Sequence, residues 1–286
     1  MRTWANLVHN AHTQRCRVWY LPRMPLRLLF TLCAALYLAS SGLSQHSKNP
    51  TPVAPGFEVE TLSDSAVQVE VTDPQGGTER GSGFWVSPEL IATCNHVVPS
   101  GIGMLVKVKI AIPSLFDLER NTYIYSNWIV HEGKVVAIDS VNDLALIRTM
   151  DFSSLLLKQG PLSPRIHLPA LNTSLPKALS DAFLVGFPLG NPYVVVQHGT
   201  TAAVAGRLNI AGLPGDSKLL FSTVANPGNS GGPIFDSKGQ VIAVLEGALP
   251  SVRNAPSAVA VSGLAVGIPA FYVQRLLGTL ANHPPK

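Results

Sequence analysis

The sequence predicts an all-β fold for most of its 286 residues. Apolar and polar residues alternate with a period of two over 67–72 and 106–112, which is the pattern of half-buried strands. Further short apolar runs follow, most of them bounded by Gly, Pro, Asn or Asp. Only 269–277 has a convincingly helical pattern, with a proline suited to the first turn. Many short strands with almost no long helix are typical of a sandwich or a barrel. The further strand-like runs lie at 133–138, 144–148, 182–186, 193–197, 219–224, 240–245 and 257–268.

The first 44 residues have the pattern of a secretory signal. Arg27 precedes an apolar run over 28–39, and small residues follow it. A helix of twelve residues rises only about 18 Å, short of the roughly 30 Å hydrocarbon core of a membrane. We therefore expect an exported, periplasmic or secreted protein that meets a membrane only transiently, with Met24 as an alternative start. The competing interpretation is a retained anchor at 28–39. The Pro-rich segment 45–56 is predicted to be a linker.

The charge distribution gives no support for nucleic-acid binding. The formal net charge is +4, but the signal segment contains five arginines and no acidic residue. Removing these five charges from +4 leaves −1, and the folded part then has no basic stripe of the kind that binds nucleic acid. The five are Arg2, Arg15, Arg17, Arg23 and Arg27.

The three cysteines exclude a disulfide within the mature chain. Cys16 and Cys33 lie in the signal segment, so only Cys94 remains after its removal. A domain of this size has enough core to fold without a disulfide. We expect Cys94 to be a small buried apolar residue.

Three separate motifs contain candidate catalytic residues. Ser230 lies in "PGNSGGP", His96 follows a predicted strand in "GSGFWVSPELIATCNHVV", and Asp143 begins "DLALI". A hydroxyl of ordinary pKa needs an adjacent base, which is itself oriented by a carboxylate. Each motif alone is more simply a turn or a strand end.

Taken together, these motifs resemble the chymotrypsin-like serine peptidases, most closely the bacterial HtrA/Deg branch without its PDZ domain. The resemblance also includes "VGFPLG" (185–190) and "GLAVGIP" (263–269), and it extends over roughly 57–281. It implies two antiparallel six-stranded β-barrels followed by a short C-terminal helix. The N-terminal barrel would occupy 57–165 and the C-terminal barrel with its helix 166–281, leaving 282–286 as a tail.

By this resemblance His96 is the general base, Asp143 orients its ring and Ser230 is the nucleophile. The backbone N–H groups of Gly228 and Ser230 would stabilise the oxyanion. The implied activity is that of an exported serine endopeptidase acting on polypeptides, unfolded ones included, in protein quality control. No cofactor and no metal are implied. HtrA relatives are often trimers, for which Phe57 is a candidate contact.

The resemblance also predicts the side chain that is accepted before the scissile bond. Val224, Leu245 and Ala265 would form the specificity pocket, which predicts cleavage after small or medium aliphatic residues. Leu245 stands where the family often has a polar residue, so Asp143 would lack one supporting hydrogen bond. Glu246 is interpreted as a solvated charge on the rim.

Three alternatives are weighed against this hypothesis. The motif G-x-S-x-G also suits an α/β-hydrolase, but its histidine must follow the serine, and the only later histidine is His283 in the tail. A zinc hydrolase lacks support because no H-E-x-x-H occurs. A catalytically silent chaperone-like or partner-binding member of the same fold stays open, although all three catalytic residues are present.

Overall fold

The computed structural model of the protein describes residues 59–72, 76–117, 122–150, 166–204, 217–249 and 263–282. The predicted signal segment, the linker, Phe57 and the tail from 283 onward lie outside these residues. So does the first half of the predicted strand-like run 257–268. In the described part, no helix is both long and apolar enough to cross a membrane.

Short strands make up most of the described chain. In order, the helices and strands are α1 (Val59–Ser63), β1 (Ala66–Thr72), β2 (Thr78–Ser87), β3 (Leu90–Cys94), β4 (Leu105–Asp117), β5 (Thr122–Asp139), β6 (Leu144–Thr149), β7 (Asp181–Gly186), β8 (Val195–Val204), β9 (Leu219–Phe221), β10 (Pro233–Phe235), β11 (Val241–Ala248), β12 (Ala265–Pro269) and α2 (Ala270–Asn282). Two 3₁₀ turns, Asn95–Val97 and Pro188–Gly190, precede β4 and β8.

The strands close into two antiparallel barrels of six strands each. The first barrel has the order β1-β2-β3-β6-β5-β4, and the second has the order β10-β11-β12-β9-β8-β7. Closure leaves neither sheet with an unpaired edge. The predicted all-β fold with two six-stranded barrels and a C-terminal helix is confirmed.

Strand β1 shows why the sequence pattern was only half right. Its valines face the core of the first barrel as predicted, with Val69 paired to Val108 of β4. Two of the three alternating polar residues, Gln68 and Glu70, are however also buried, Glu70 at 7% exposure. Glu70 is covered because Lys109 and Arg80, on the two neighbouring strands, form ion pairs with its carboxylate. Paired charges are the ones that proteins can bury.

The apolar core is continuous across the two barrels. A large cluster fills the first barrel and includes Phe187, Phe235 and Val241 from the second, together with residues of α2. A smaller cluster around Leu219, Phe221 and others occupies the second barrel. Each fully buried aliphatic or aromatic side chain contributes about 1.5–3 kcal/mol. The barrels therefore share one packed interface rather than a flexible joint.

Helix α2 attaches the end of the chain to the first barrel. It begins directly after Pro269, the last residue of β12, and ends five residues beyond the predicted limit. Its buried face packs against β5, β6 and β11. The Arg275 guanidinium donates a hydrogen bond to the Asp139 carboxylate, 2.9 Å away. Helix α2 thereby holds the β5–β6 turn, which contains Asp143.

Several predicted boundaries differ from the structure, and one helix was missed. Strands β4 and β5 extend beyond the predicted runs 106–112 and 133–138. The run 219–224 was predicted to be one strand, but β9 ends at Phe221. The following residues form the loop that leads to Ser230, and a longer strand would leave no chain for that loop. Helix α1 was not predicted, because five residues are too short to show a helical period.

Candidate active site

The His96 ring is oriented by Asp143. His96 lies in the 3₁₀ turn after β3, and its side chain is 49% exposed. Its Nδ1 lies 2.6 Å from Asp143 Oδ2, and its backbone N–H donates to Oδ1 of the same carboxylate at 2.9 Å. Both carboxylate oxygens therefore hold the histidine, and the Nε2 edge of the ring is left for a second partner.

The backbone around Asp143 is as closely held as its side chain. Asp143 has a φ of 58°, an uncommon conformation that aspartate tolerates better than most residues. The Asn95 N–H donates to its carbonyl oxygen at 3.0 Å. Asn142, one residue earlier, donates through its backbone and side chain to Asp139. Asp139 also accepts a hydrogen bond from Arg275, so helix α2 holds the turn that contains Asn142 and Asp143.

The hydrogen bond with Asp143 raises the pKa of His96 above its ordinary value of 6.5, although burial of the ring acts in the opposite direction. Only the neutral imidazole can accept a proton. We therefore expect kcat/KM for any reaction that uses His96 as a base to fall on the acid side with a midpoint above 6.5. A pH–rate profile measures this midpoint. Asp143→Asn should move it to lower pH, and a wild-type midpoint below 6.5 would contradict the assignment.

Ser230 lies in a tight loop of the second barrel that contacts the first. The loop is attached to β11 by two hydrogen bonds between Leu245 and residues Gly231 and Gly232, each 2.8 Å long. Gly231 has a φ of 87°, and a Cβ there would lie 2.2 Å from Ser82 O and 3.0 Å from Cys94 N. Only glycine fits, because the loop is packed against the end of β3, two residues before His96.

The Ser230 hydroxyl is bonded to the main chain rather than to His96. Ser230 Oγ donates a hydrogen bond to the carbonyl oxygen of Glu246 at 3.0 Å. Among the described residues, this is the hydrogen bond that the hydroxyl makes. Catalytic hydrogen bonds are often absent or long in the free form and become shorter only with substrate. The structure thus places Ser230 in the loop beside the His96–Asp143 pair, with its hydroxyl turned toward β11.

The Gly228 backbone has a conformation that only glycine adopts easily. Gly228 has a φ of 94°, and a Cβ there would lie 2.4 Å from Phe187 O. The preceding carbonyl, of Pro227, accepts a hydrogen bond from Leu189 N–H at 2.6 Å, which turns the Gly228 N–H the opposite way. Over the described residues, neither this N–H nor that of Ser230 has a hydrogen-bond acceptor. Both N–H groups are therefore available to an acceptor from outside the described residues.

Ser82 connects the first barrel to this loop, a role that we did not predict. Its hydroxyl donates to Gly228 O at 2.7 Å and accepts from Phe187 N–H at 3.0 Å. Its backbone N–H donates to Ser230 O at 2.8 Å. Ser82 lies in the quoted motif "GSGFWVSPELIATCNHVV", but nothing in the sequence showed which distant carbonyl it meets.

We expect Ser82→Ala to lower kcat/KM by about tenfold or more, because a buried hydrogen bond to a partner that stays unsatisfied is worth about 1–3 kcal/mol. The lost bond is the one that fixes the carbonyl of Gly228. Steady-state kinetics on the purified variant measures the effect. Ser87→Ala, on the same strand and away from the site, is the matched control. Equal kinetics of the two variants would contradict the role of Ser82.

The predicted specificity residues differ in exposure. Val224 is 38% exposed, whereas Leu245 and Ala265 are fully buried in the apolar cluster of the second barrel. The interpretation of Glu246 as a solvated rim charge is wrong. Its carboxylate is buried and lies 2.7 Å from the ammonium group of Lys218, itself 1% exposed. Sequence analysis missed Lys218, because a lysine at a strand start is usually solvated.

Cys94 is buried as expected. Its thiol donates to Leu245 O at 3.2 Å, and burial raises the pKa of this thiol well above its usual value. The ligand-type atoms of Cys94, His96 and Asp143 lie within 4.8 Å of one another. A metal would need a deprotonated thiol and a carboxylate that is free to bind it. The thiol is held protonated and Asp143 is engaged by His96, so these residues fit a His–Asp pair better than a metal site.

Comparison with known proteins identifies the family of the chain. Residues 81–244 match the family model of the trypsin-like peptidase domain. A probable periplasmic serine endoprotease, DegP-like, from Ectopseudomonas mendocina is 28% identical over 181 residues, covering 59% of this chain and 30% of the relative. Protease Do-like 1, chloroplastic, of Arabidopsis thaliana is 30% identical over 180 residues, covering 60% of this chain and 33% of the relative. The chain thus spans about a third of the length of these relatives.

A solved structure shows the same fold. The active form of the Rv3671c protease from M. tuberculosis superimposes with a TM-score of 0.56 at 20% sequence identity. The match covers 79% of this chain and 84% of that structure. At this level of identity, the likeness concerns the arrangement of the two barrels.

Proposed function

Because the chain belongs to the family of trypsin-like peptidase domains, we propose that it is a serine endopeptidase that uses His96, Asp143 and Ser230. The observation that carries the proposal is the bidentate hold of Asp143 on His96 beside the Ser230 loop. A histidine held in this way is a base with a fixed tautomer. The relatives named as serine endoproteases support the same activity.

The proposed reaction has two halves. Ser230 Oγ first turns from the carbonyl of Glu246 to His96 Nε2, gives it the hydroxyl proton and bonds to the carbonyl carbon of the substrate. The N–H groups of Gly228 and Ser230 stabilise the resulting oxyanion. His96 then returns the proton to the leaving amine, and the C–N bond breaks. Water, activated in the same way, hydrolyses the acyl-enzyme and releases Ser230.

The absence of a bond between His96 and Ser230 in the free protein is compatible with this scheme. Rotation of the serine side chain about one bond exchanges one hydrogen-bond acceptor for another. The cost of breaking the bond to Glu246 O is modest, about 0.5–1.5 kcal/mol net. An active peptidase can therefore rest in this state.

The proposed specificity is for a small or medium aliphatic residue before the scissile bond. Val224 offers an exposed apolar side chain, and Leu245 and Ala265 would limit the depth of the pocket from behind. A substrate Lys or Arg entering such a site would lose several kcal/mol of solvation without a partner. The nearest acidic side chain, that of Glu246, is already paired with Lys218.

A peptide library varied at that single position tests activity and specificity together. We expect mass spectrometry to show cleavage after Val, Ala, Ile or Leu, with preferences among neighbouring aliphatics of roughly 10- to 200-fold. Failure to cleave any peptide would reject the peptidase hypothesis. Cleavage mainly after Lys or Arg would keep the peptidase and reject the pocket.

We propose in addition that the protein acts outside the cytoplasm on polypeptides, including unfolded chains in quality control. The apolar run 28–39 and the periplasmic relative support this location. N-terminal sequencing of the mature protein should give a start between about residues 42 and 45, where small residues follow the apolar run. A homotrimer stays a prediction, to be tested by light scattering.

A further inference from the structure

An ion pair of Lys218 and Glu246 is buried beside the nucleophile. The two charged atoms are 2.7 Å apart, and the side chains are 1% and 4% exposed. Lys218 directly precedes β9 and Glu246 lies on β11, so the pair spans β12, which separates these two strands. Lysine and glutamate are almost never buried to this extent, and a buried pair often stabilises a protein no better than apolar residues of similar volume. Stability alone therefore does not account for this pair.

Glu246 occupies the bulge of β11. Strand β11 pairs regularly with β12 up to Leu245 opposite Gly267, and the next pair is Gly247 opposite Val266. Glu246 is the extra residue between them. Bulges redirect a strand locally and are frequent next to active sites.

The bulge is also where β11 meets the nucleophile. The carbonyl of Glu246 accepts the hydrogen bond from Ser230 Oγ at 3.0 Å. The preceding residue, Leu245, makes the two hydrogen bonds that attach the Ser230 loop to β11. The position of the Glu246 backbone therefore determines where the serine hydroxyl rests, and the buried side chain of the same residue is anchored by Lys218.

Several other ionisable groups act on this pair. Asp143, from the turn between β5 and β6, and His96 and Cys94, from the end of β3, all interact electrostatically with Glu246. Glu79 of β2 acts on His96 from another side. Burial raises the pKa of Glu246, whereas its contact with Lys218 lowers it. The negative charge of Glu246 raises the pKa of His96, as does that of Asp143.

We propose that Lys218 and Glu246 are positioning residues for the nucleophile and the base. Their ion pair fixes the bulge, so that the Glu246 carbonyl holds the Ser230 hydroxyl, and it keeps a carboxylate close to the His96–Asp143 pair. When Ser230 attacks, its proton passes to His96, and the nearby carboxylate stabilises the imidazolium that forms. The positive charge of Lys218 offsets the repulsion between the carboxylates of Glu246 and Asp143. The inference rests on the proposed peptidase function.

The decisive variant replaces both charges by apolar side chains, Lys218→Met with Glu246→Leu. An apolar replacement of a buried ion pair usually folds with equal or greater stability. We expect the melting temperature to stay within a few degrees or to rise. The rate of Ser230 labelling by a fluorophosphonate probe at pH 8 should nevertheless fall about tenfold or more. The acid-side midpoint of the labelling rate should also move to lower pH, because a negative charge near His96 is lost.

A second, more conservative double variant keeps the proposal testable if the first one does not fold. Lys218→Met with Glu246→Gln keeps the shape of the glutamate and removes both charges. It should show the same acid-side shift, with a smaller loss of rate because the bulge is better preserved. The matched control is Lys109→Met with Glu70→Leu, which removes a part-buried pair in the first barrel. We expect that control to keep the wild-type rate and midpoint.

The outcomes separate the two hypotheses. If wild-type protein is not labelled at all, the peptidase proposal fails. If wild-type protein is labelled and both charge-free variants react within twofold of it, with an unmoved midpoint, the pair is only structural and our inference is overturned. Loss of rate with a shifted midpoint in a folded variant supports it.

Discussion

Ser230→Ala is expected to lower peptide cleavage by about 10⁶-fold and to abolish fluorophosphonate labelling, because the nucleophile is then missing. Its effect on stability should be small. The variant loses one hydroxyl, whose hydrogen bond to the Glu246 carbonyl has a net worth of about 0.5–1.5 kcal/mol. Turnover of a cleaved library peptide, labelling and thermal melting measure the three quantities.

Two further variants sharpen this result. His96→Ala should be nearly as inactive as Ser230→Ala, and the double variant hardly worse, because residues that act as a unit are not additive. Ser222→Ala is the matched control, since Ser222 is an exposed serine in the same loop region. Retention of more than about a tenth of wild-type turnover by Ser230→Ala or His96→Ala would show that the assignment is wrong.

Asp143→Asn should reduce turnover by about 10⁴-fold with little change in shape. In the wild-type protein the Asp143 carboxylate accepts hydrogen bonds from both the ring and the backbone N–H of His96. An amide can present its NH₂ to the ring, which favours the tautomer that cannot take the serine proton. Single-turnover kinetics and steady-state kcat both report the loss.

Asp139→Asn is the control for this variant, because Asp139 lies in the same turn but binds Arg275 and Asn142 instead of His96. We expect it to cost some stability and less than tenfold in turnover. If Asp139→Asn were the more damaging of the two, the orienting carboxylate would have to be reassigned.

The barrel architecture was predictable because it depends on local patterns. Period-two alternation and frequent turn residues indicated strands such as β1 and β6, and thereby an all-β sandwich or barrel. The two six-stranded barrels were implied by the resemblance of the motifs to a known family. The burial of Glu70 was not predictable, because its partners come from two neighbouring strands. The end of β9 was missed for a similar reason. The residues after Phe221 form the loop that leads to Ser230, and the contacts of that loop come from distant parts of the chain.

The candidate site divides along the same line. His96, Asp143 and Ser230 lie in motifs that point to catalysis only in combination. The structure brings the first two into direct contact across 47 residues of sequence. Ser82 acts on a carbonyl 146 residues away, which no local pattern encodes. Lys218 and Glu246 resemble ordinary surface charges in the sequence. Only the closure of β9, β12 and β11 into one barrel buries them together.

The hydrogen bonds of Ser82 link the two barrels, and this has a consequence for when activity can arise during folding. Ser230 and Gly228 belong to the second barrel, whereas Ser82 and His96 belong to the first. A nascent chain with one closed barrel therefore has no working set of groups, whichever barrel forms first. Peptidase activity would arise only in the last folding step, when the two barrels of the chain dock. Under the proposed function, the protein would be harmless to its own unfolded copies until both barrels have formed and docked.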